Sequence, residues 1–249
     1  MAQNASFSEH YWTKGWVVVE GLFDPKETDG VARLALEIIE KEYIGVEPGY
    51  LVDRSADGEL APRKLDDVFL RDALFRDFIL APRLKEYIEA LLGDKPLLFS
   101  DSIFMKPPRH GTPKPYHQDN FYFQCHPADQ VLTAWIALDD ADISNGCLRY
   151  IDGSHRRPIM PHQAVPGEEY YNSTPPIELI DLGKESLASV RKGGVVFHHA
   201  GTLHTSHRNE SDRWRRAYAS NWVINNVTSD NHTLDGAYFK REEFRRMFV

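Results

Sequence analysis

A histidine and an aspartate separated by one residue, His117 and Asp119, lie in the string Pro113-Lys-Pro-Tyr-His-Gln-Asp-Asn-Phe-Tyr-Phe123. In an extended strand, residues two apart project to the same face, so an imidazole and a carboxylate would enter one site together. A second histidine from elsewhere in the chain would complete a face of two imidazoles and one carboxylate. Such a face leaves three positions of an octahedral iron open for a bidentate co-substrate and dioxygen. Four histidines, His198, His199, His204 and His207, stand in Val195-Val-Phe-His-His-Ala-Gly-Thr-Leu-His-Thr-Ser-His-Arg-Asn209, and spacing alone does not choose among them. An H-x-D triplet is also what a solvated surface pair looks like, so the surrounding strings must decide.

Those strings resemble the phytanoyl-CoA dioxygenase family over residues from Lys64 to Val223. The resemblance rests on Leu203-His-Thr-Ser206, on Met105-Lys-Pro-Pro108 ahead of the H-x-D triplet, on Thr133-Ala-Trp-Ile-Ala-Leu138, and on Asn145-Gly-Cys-Leu148 followed by Gly153-Ser-His155. Asp152 stands where the family carries a proline, a departure in a turn rather than at a ligand. The resemblance implies His117, Asp119 and His204 as catalytic metal ligands, with His198 and His199 left to supporting roles. It implies that Arg215, eleven residues after His204, binds the far carboxylate of 2-oxoglutarate, with Arg213 and Arg216 as competitors. A planar guanidinium suits that carboxylate because it can meet both oxygens. Ser206, Trp135, Lys64 and Ser102 join Arg215 as implied co-substrate contacts.

The resemblance further implies Fe(II), 2-oxoglutarate and dioxygen as the reacting set, with succinate and carbon dioxide released as a small organic substrate is hydroxylated or otherwise oxidised. Related halogenases replace the metal-binding carboxylate with a small residue, so Asp119 points to hydroxylation or a similar oxidation rather than chlorination. Two other readings fit a His/His/Asp set. A cupin-like zinc or manganese hydrolase or isomerase would use the same ligands without needing Arg215, Ser206 or Trp135. A ligand-binding jelly roll without catalysis would have no use for an intact triad.

The elements that must position these residues change character along the chain. Residues 15–23 (GWVVVEGLF) read as a strand, and residues 24–42 as an amphipathic helix with Val31, Leu34, Ala35, Ile38 and Ile39 at helical spacing and Asp24-Pro25 at its start. The period predicts a second helix over residues 72–92, stopped by Gly93. From about Pro96 the pattern becomes strand-like, with short runs at 97–105, 116–123, 131–138, 146–151, 195–199 and 217–223 separated by turn-formers. Helices in front and strands behind predict an α+β chain with a double-stranded β-helix, or jelly roll, at its core. If residues 215–217 alternate on a strand, Arg215 faces inward with Ala217 while Arg216 faces away. Prolines interrupt residues 153–191, read as a lid or loop insertion over the site, with Tyr170 and Tyr171 as ligand-facing candidates.

Composition sets the outer bounds. A chain of 249 residues suits one oxygenase domain over residues 1–249, and a hydrophobic share of 42% supports a full core. The net charge of −8 argues against a nucleic-acid partner. Cys125 and Cys147 form no C-x-x-C pair, which disfavours a disulfide framework. With neither a basic apolar leader nor a long apolar run, the reading is a cytoplasmic protein with no membrane partner, acting on a small molecule.

Overall fold

The computed structural model describes residues 2–42, 51–54, 60–165 and 173–248. Helix α1 (Ala2–Lys14) precedes the first strand, β1 (Trp16–Val19). Helix α2 (Pro25–Glu42) starts as its sequence dictates: the Asp24 carboxylate accepts from the Lys26 N–H at 2.8 Å and Glu27 accepts from the Asp24 N–H at 2.9 Å. That reciprocal cap satisfies two otherwise orphaned donors, and Pro25 has no N–H to lose. Its buried face is Thr28, Val31, Ala32, Ala35 and Ile39.

Strand β2 (Lys64–Asp66) and the short helix α3 (Val68–Arg71) follow. The helix expected over residues 72–92 is two helices, α4 (Ala73–Ile79) and α5 (Pro82–Leu92). Pro82 is the cause, because a residue preceding proline is pushed out of the helical region, and Ala81 has ψ 129°. Gly93 closes α5 in the left-handed region at φ 76°.

The strands of three or more residues after α5 are β3 (Leu97–Lys106), β4 (Lys114–His117), β5 (Val131–Ala137), β6 (Leu148–Ile151), β7 (Glu185–Ala188), β8 (Val195–His199), β9 (His204–Ser206) and β10 (Arg215–Val223). They form a six-stranded sheet in the order β1-β8-β5-β10-β3-β2 and a four-stranded sheet in the order β7-β6-β9-β4, with antiparallel pairing throughout. This is the cupin-like double sheet of an α+β fold. The strand expected over residues 116–123 ends at His117, and a five-residue helix, α6 (Asp119–Phe123), takes its place.

Side-chain alternation assigns each face. On the large sheet Val17, Ala134, Ile136, Val195, Phe197 and Tyr218 join the helices in one cluster. Their strand neighbours Trp16, Trp135, Val196, Ala217 and Ala219 meet Leu148, Tyr150 and Ala188 of the small sheet in another. The period of two thus serves two cores, and Ala217 and Ala219 keep the inner one open enough for a cavity.

Candidate metal and co-substrate site

His117 and His204 are direct cross-strand partners on β4 and β9. Their ring centroids are 4.1 Å apart. Gln118 is still extended when the chain leaves β4, so Asp119 projects on the same side as His117 even though it opens α6. Asp119 Oδ1 lies 3.6 Å from His117 Nε2 and 3.7 Å from His204 Nε2. One ligand atom from each residue falls within 4.8 Å of the others, which makes the three a possible metal-binding group.

The hydrogen bonds behind the rings decide which nitrogens face inward. His117 Nδ1 lies 2.9 Å from the Pro115 carbonyl, and His204 Nδ1 lies 2.9 Å from the Thr202 carbonyl. A carbonyl only accepts, so each Nδ1 carries the hydrogen and each Nε2 presents a lone pair to the centre. Burial pushes His204 down to about 4 and holds His117 well below its ordinary value, with the facing His204 adding to the effect on His117. Burial works against ionising Asp119, but His204, His198 and His117 around it keep its carboxyl below the usual range. Two imidazole lone pairs and a carboxylate therefore converge with no hydrogen among them. The donor set and its geometry fit a divalent transition metal with an open face.

A cavity of about 670 Å3 opens from this triad. Arg215, Ser206, Trp135, Lys64 and Ser102 all line it. Arg215 is 3% exposed, its guanidinium carbon lies 5.6 Å from the Trp135 ring, and its Nε has no protein partner. Burial lowers it to about 10, so it remains a cation at neutral pH. An unsatisfied buried guanidinium N–H beside an open space is the arrangement an anionic ligand would complete. The competing arginines lie elsewhere: exposed Arg213 pairs with Asp142 at 2.6 Å, and Arg216 grips Asp139 through Nε and Nη2, each at 2.8 Å. Lys64 pairs with Asp66 at 2.8 Å, and Ser102 Oγ donates to the same carboxylate at 2.6 Å.

Lys106 is the main residue that sequence reasoning missed. It is 5% exposed, lines the cavity, and donates from Nζ to the Ser206 carbonyl at 3.2 Å, to Ser206 Oγ at 2.9 Å and to the His207 carbonyl. Its signal was a lysine at the inward end of an apolar strand, just before Pro107-Pro108. Strand β7 falls inside the span read as a loop over residues 153–191, and described residues ahead of it pack on the segment after His117: Gln118 Oε1 accepts from the Met160 N–H at 2.8 Å, His162 stacks on Phe121 at 4.1 Å, and Tyr122 contacts Ser173. Tyr170 and Tyr171 lie outside the described residues.

The family model for phytanoyl-CoA dioxygenase matches residues 11–217. The chain belongs to the phytanoyl-CoA dioxygenase family. Phytanoyl-CoA dioxygenase domain-containing protein 1 of Mus musculus is 31% identical over 156 residues, covering 59% of this chain and 52% of that protein. The peroxisomal phytanoyl-CoA dioxygenase of Bos taurus is 30% identical over 191 residues, covering 75% and 55% respectively. The chain thus spans about half the length of the curated relatives it matches. Among solved structures, the epimerase SnoN in complex with Fe3+, alpha ketoglutarate and nogalamycin RO superposes with a TM-score of 0.72 at 23% identity, covering 92% of this chain and 86% of that one. EvdO2 from Micromonospora carbonacea var. aurantiaca, complexed with 2-oxoglutarate, gives a TM-score of 0.70 at 20% identity, covering 90% and 91%. At these identities the likeness shows the fold of this family member. No described helix is long and apolar enough to cross a membrane.

Proposed function

We propose that this member of the phytanoyl-CoA dioxygenase family is an Fe(II)- and 2-oxoglutarate-dependent oxygenase that hydroxylates a small organic substrate. One observation carries the reading: two histidines fixed as Nε2 acceptors converge with a carboxylate at the end of a cavity, where a buried arginine keeps an unsatisfied donor. His117, Asp119 and His204 would hold the metal. Iron, 2-oxoglutarate and dioxygen, when bound, supply the oxidising power, with succinate and carbon dioxide as co-products.

The chain's own residues do the positioning. Arg215 binds the far carboxylate of the co-substrate, and Trp135 beneath it gives the guanidinium a flat apolar support. Ser206 adds a hydroxyl donor, because Lys106 supplies a hydrogen to its oxygen and leaves its own hydrogen for the ligand. Lys64 and Ser102, joined on the Asp66 carboxylate, line the same cavity and complete the co-substrate contacts. Holding the target bond close and keeping water out are what the protein must contribute to such a reaction. Buried, unpaired Cys125 and Cys147 suit a reducing compartment, read here as the cytoplasm.

The direct test is succinate release from 2-oxoglutarate with added Fe(II) across a panel of candidate acids and amines. The reading expects substrate-stimulated succinate that disappears in Asp119→Ala, and an Asp119→Ala enzyme that still turns over refutes the metal assignment. A zinc or manganese hydrolase would show activity without 2-oxoglutarate.

A further inference from the structure

The two oxygens of Asp119 have different surroundings. Oδ1 faces His117 and His204. Oδ2 is turned the other way, 3.0 Å from His198 Nε2 and 2.7 Å from Thr133 Oγ1. An ionised carboxylate only accepts, so His198 Nε2 carries a hydrogen and its Nδ1 faces the Tyr150 hydroxyl at 2.8 Å. Thr133 has one hydrogen to give, and Oδ2 must take it. Asn221 Oδ1 is placed 2.9 Å from Thr133 Oγ1 and its Nδ2 donates to Ser100 Oγ at 2.8 Å; with the Thr133 hydrogen committed to Oδ2, the Thr133–Asn221 contact is a hydrogen bond only with that amide turned over, its NH2 toward Thr133.

These residues form one row. His198 is the cross-strand partner of Thr133, Thr133 of Asn221, and Asn221 of Ser100, so the row crosses β8, β5, β10 and β3 of the large sheet. The metal-facing histidines come from the small sheet. Asp119 thus lies between the two sheets, Oδ1 facing the small sheet's histidines and Oδ2 held by the large sheet. Buried polar groups are costly unless paired, and buried His198 and Thr133 are both paired toward a single carboxylate oxygen.

We propose that His198 and Thr133 are positioning residues that occupy the outward lone pairs of Oδ2, so that Asp119 offers a metal one oxygen only. A carboxylate free to bind through both oxygens would take one of the three positions that co-substrate and dioxygen need. The inference rests on the oxygenase reading, since it assumes that the triad holds a metal.

The test titrates Co(II) into the metal-free full chain by calorimetry and records the visible ligand-field bands of the complex. Thr133→Val, close to Thr in shape, and His198→Phe should each weaken Co(II) binding by about 10–100-fold and change those bands, as loss of a donor to a metal-ligating group typically does. His198→Gln restores a donor and should recover most of both. Near-ultraviolet circular dichroism checks that each variant is folded, and Thr133→Val carries the test if His198→Phe is not. Wild-type binding with affinities within about twofold and identical bands in the folded variants overturns the clamp alone. Absence of Co(II) binding by the wild-type chain, or binding that survives His204→Ala, overturns the metal reading and the clamp with it.

Discussion

Arg215 and Lys106 stand directly opposite each other on β10 and β3, two buried basic side chains in one cavity wall. Like charges directly opposite across a sheet repel, and neither has bulk water to screen it. Burial holds Lys106 well below its ordinary value, with Arg215 and Arg63 pushing further in the same direction. The far carboxylate of 2-oxoglutarate placed between them would offset that repulsion and favour the protonated form of Lys106. With Mn(II) present, 2-oxoglutarate at a hundredfold excess over its Kd should raise Tm by roughly 5–10 °C. Pyruvate, which lacks the far carboxylate, should raise it much less, and Lys106→Met should narrow the gap. Equal shifts for the two keto acids by thermal scan would show that this wall does not read the far carboxylate.

The choice of arginine can be tested by rate measurements. Arg215→Met removes a buried charge partner and should raise KM for 2-oxoglutarate at least about 30-fold, the equivalent of about 2 kcal/mol. Arg213→Ala removes an exposed ion pair with Asp142 and should change KM by less than about threefold. An Arg213→Ala enzyme as impaired as Arg215→Met would reverse the assignment.

Gly146, in the Asn-Gly-Cys-Leu string, has φ +84°, and a Cβ there would collide with the carbonyl oxygen of His207, which also accepts from Lys106. Gly146→Ala should destabilise the fold by roughly 2 kcal/mol and weaken co-substrate binding through the displaced Ser206–His207 segment. Urea unfolding is the measurement, and a change below about 0.5 kcal/mol would contradict the backbone argument.

Asp101 gives the fold a pH dependence. Burial raises its carboxyl to about 7 despite hydrogen bonds from Tyr218, Tyr238 and the Phe69 N–H. A carboxyl raised in the folded state binds its proton more tightly there than in the unfolded chain. Its contribution is therefore fully present below about pH 4 and lost as pH rises through about 7. Between pH 5 and 8 this single group should remove roughly 2–3 kcal/mol of stability, at about 1.4 kcal/mol per unit. Asp101→Asn should flatten that part of the urea-midpoint profile. An unchanged profile would mean that Asp101 does not titrate in this range.

The helix at Pro25–Glu42 and most strands beyond Leu97 were legible because period and end signals agree there. The single helix expected over residues 72–92 failed at Pro82, where the backbone restriction on Ala81 outweighs an unbroken apolar stripe. Helix α1 was not anticipated, since its apolar stripe is weak and its burial of Phe7 and Tyr11 depends on docking. In the site, the candidate ligands were named through the strings that carry the family resemblance, but the placement of Thr133 and Asn221 was not. Their roles arise from cross-strand partners far away in sequence, and no local pattern encodes a register. The reading of Arg215 as inward and Arg216 as outward needed only strand parity, which is why it could be made from three residues.

The central claim is that His117, Asp119 and His204 present one metal face to a chelating keto acid. Anaerobic titration of the chain with Fe(II) and 2-oxoglutarate tests it most directly, followed by visible absorption. The account predicts a weak charge-transfer band in the wild-type chain that is missing in His204→Ala. Failure of the band to form, or a band of equal intensity in His204→Ala, would contradict it.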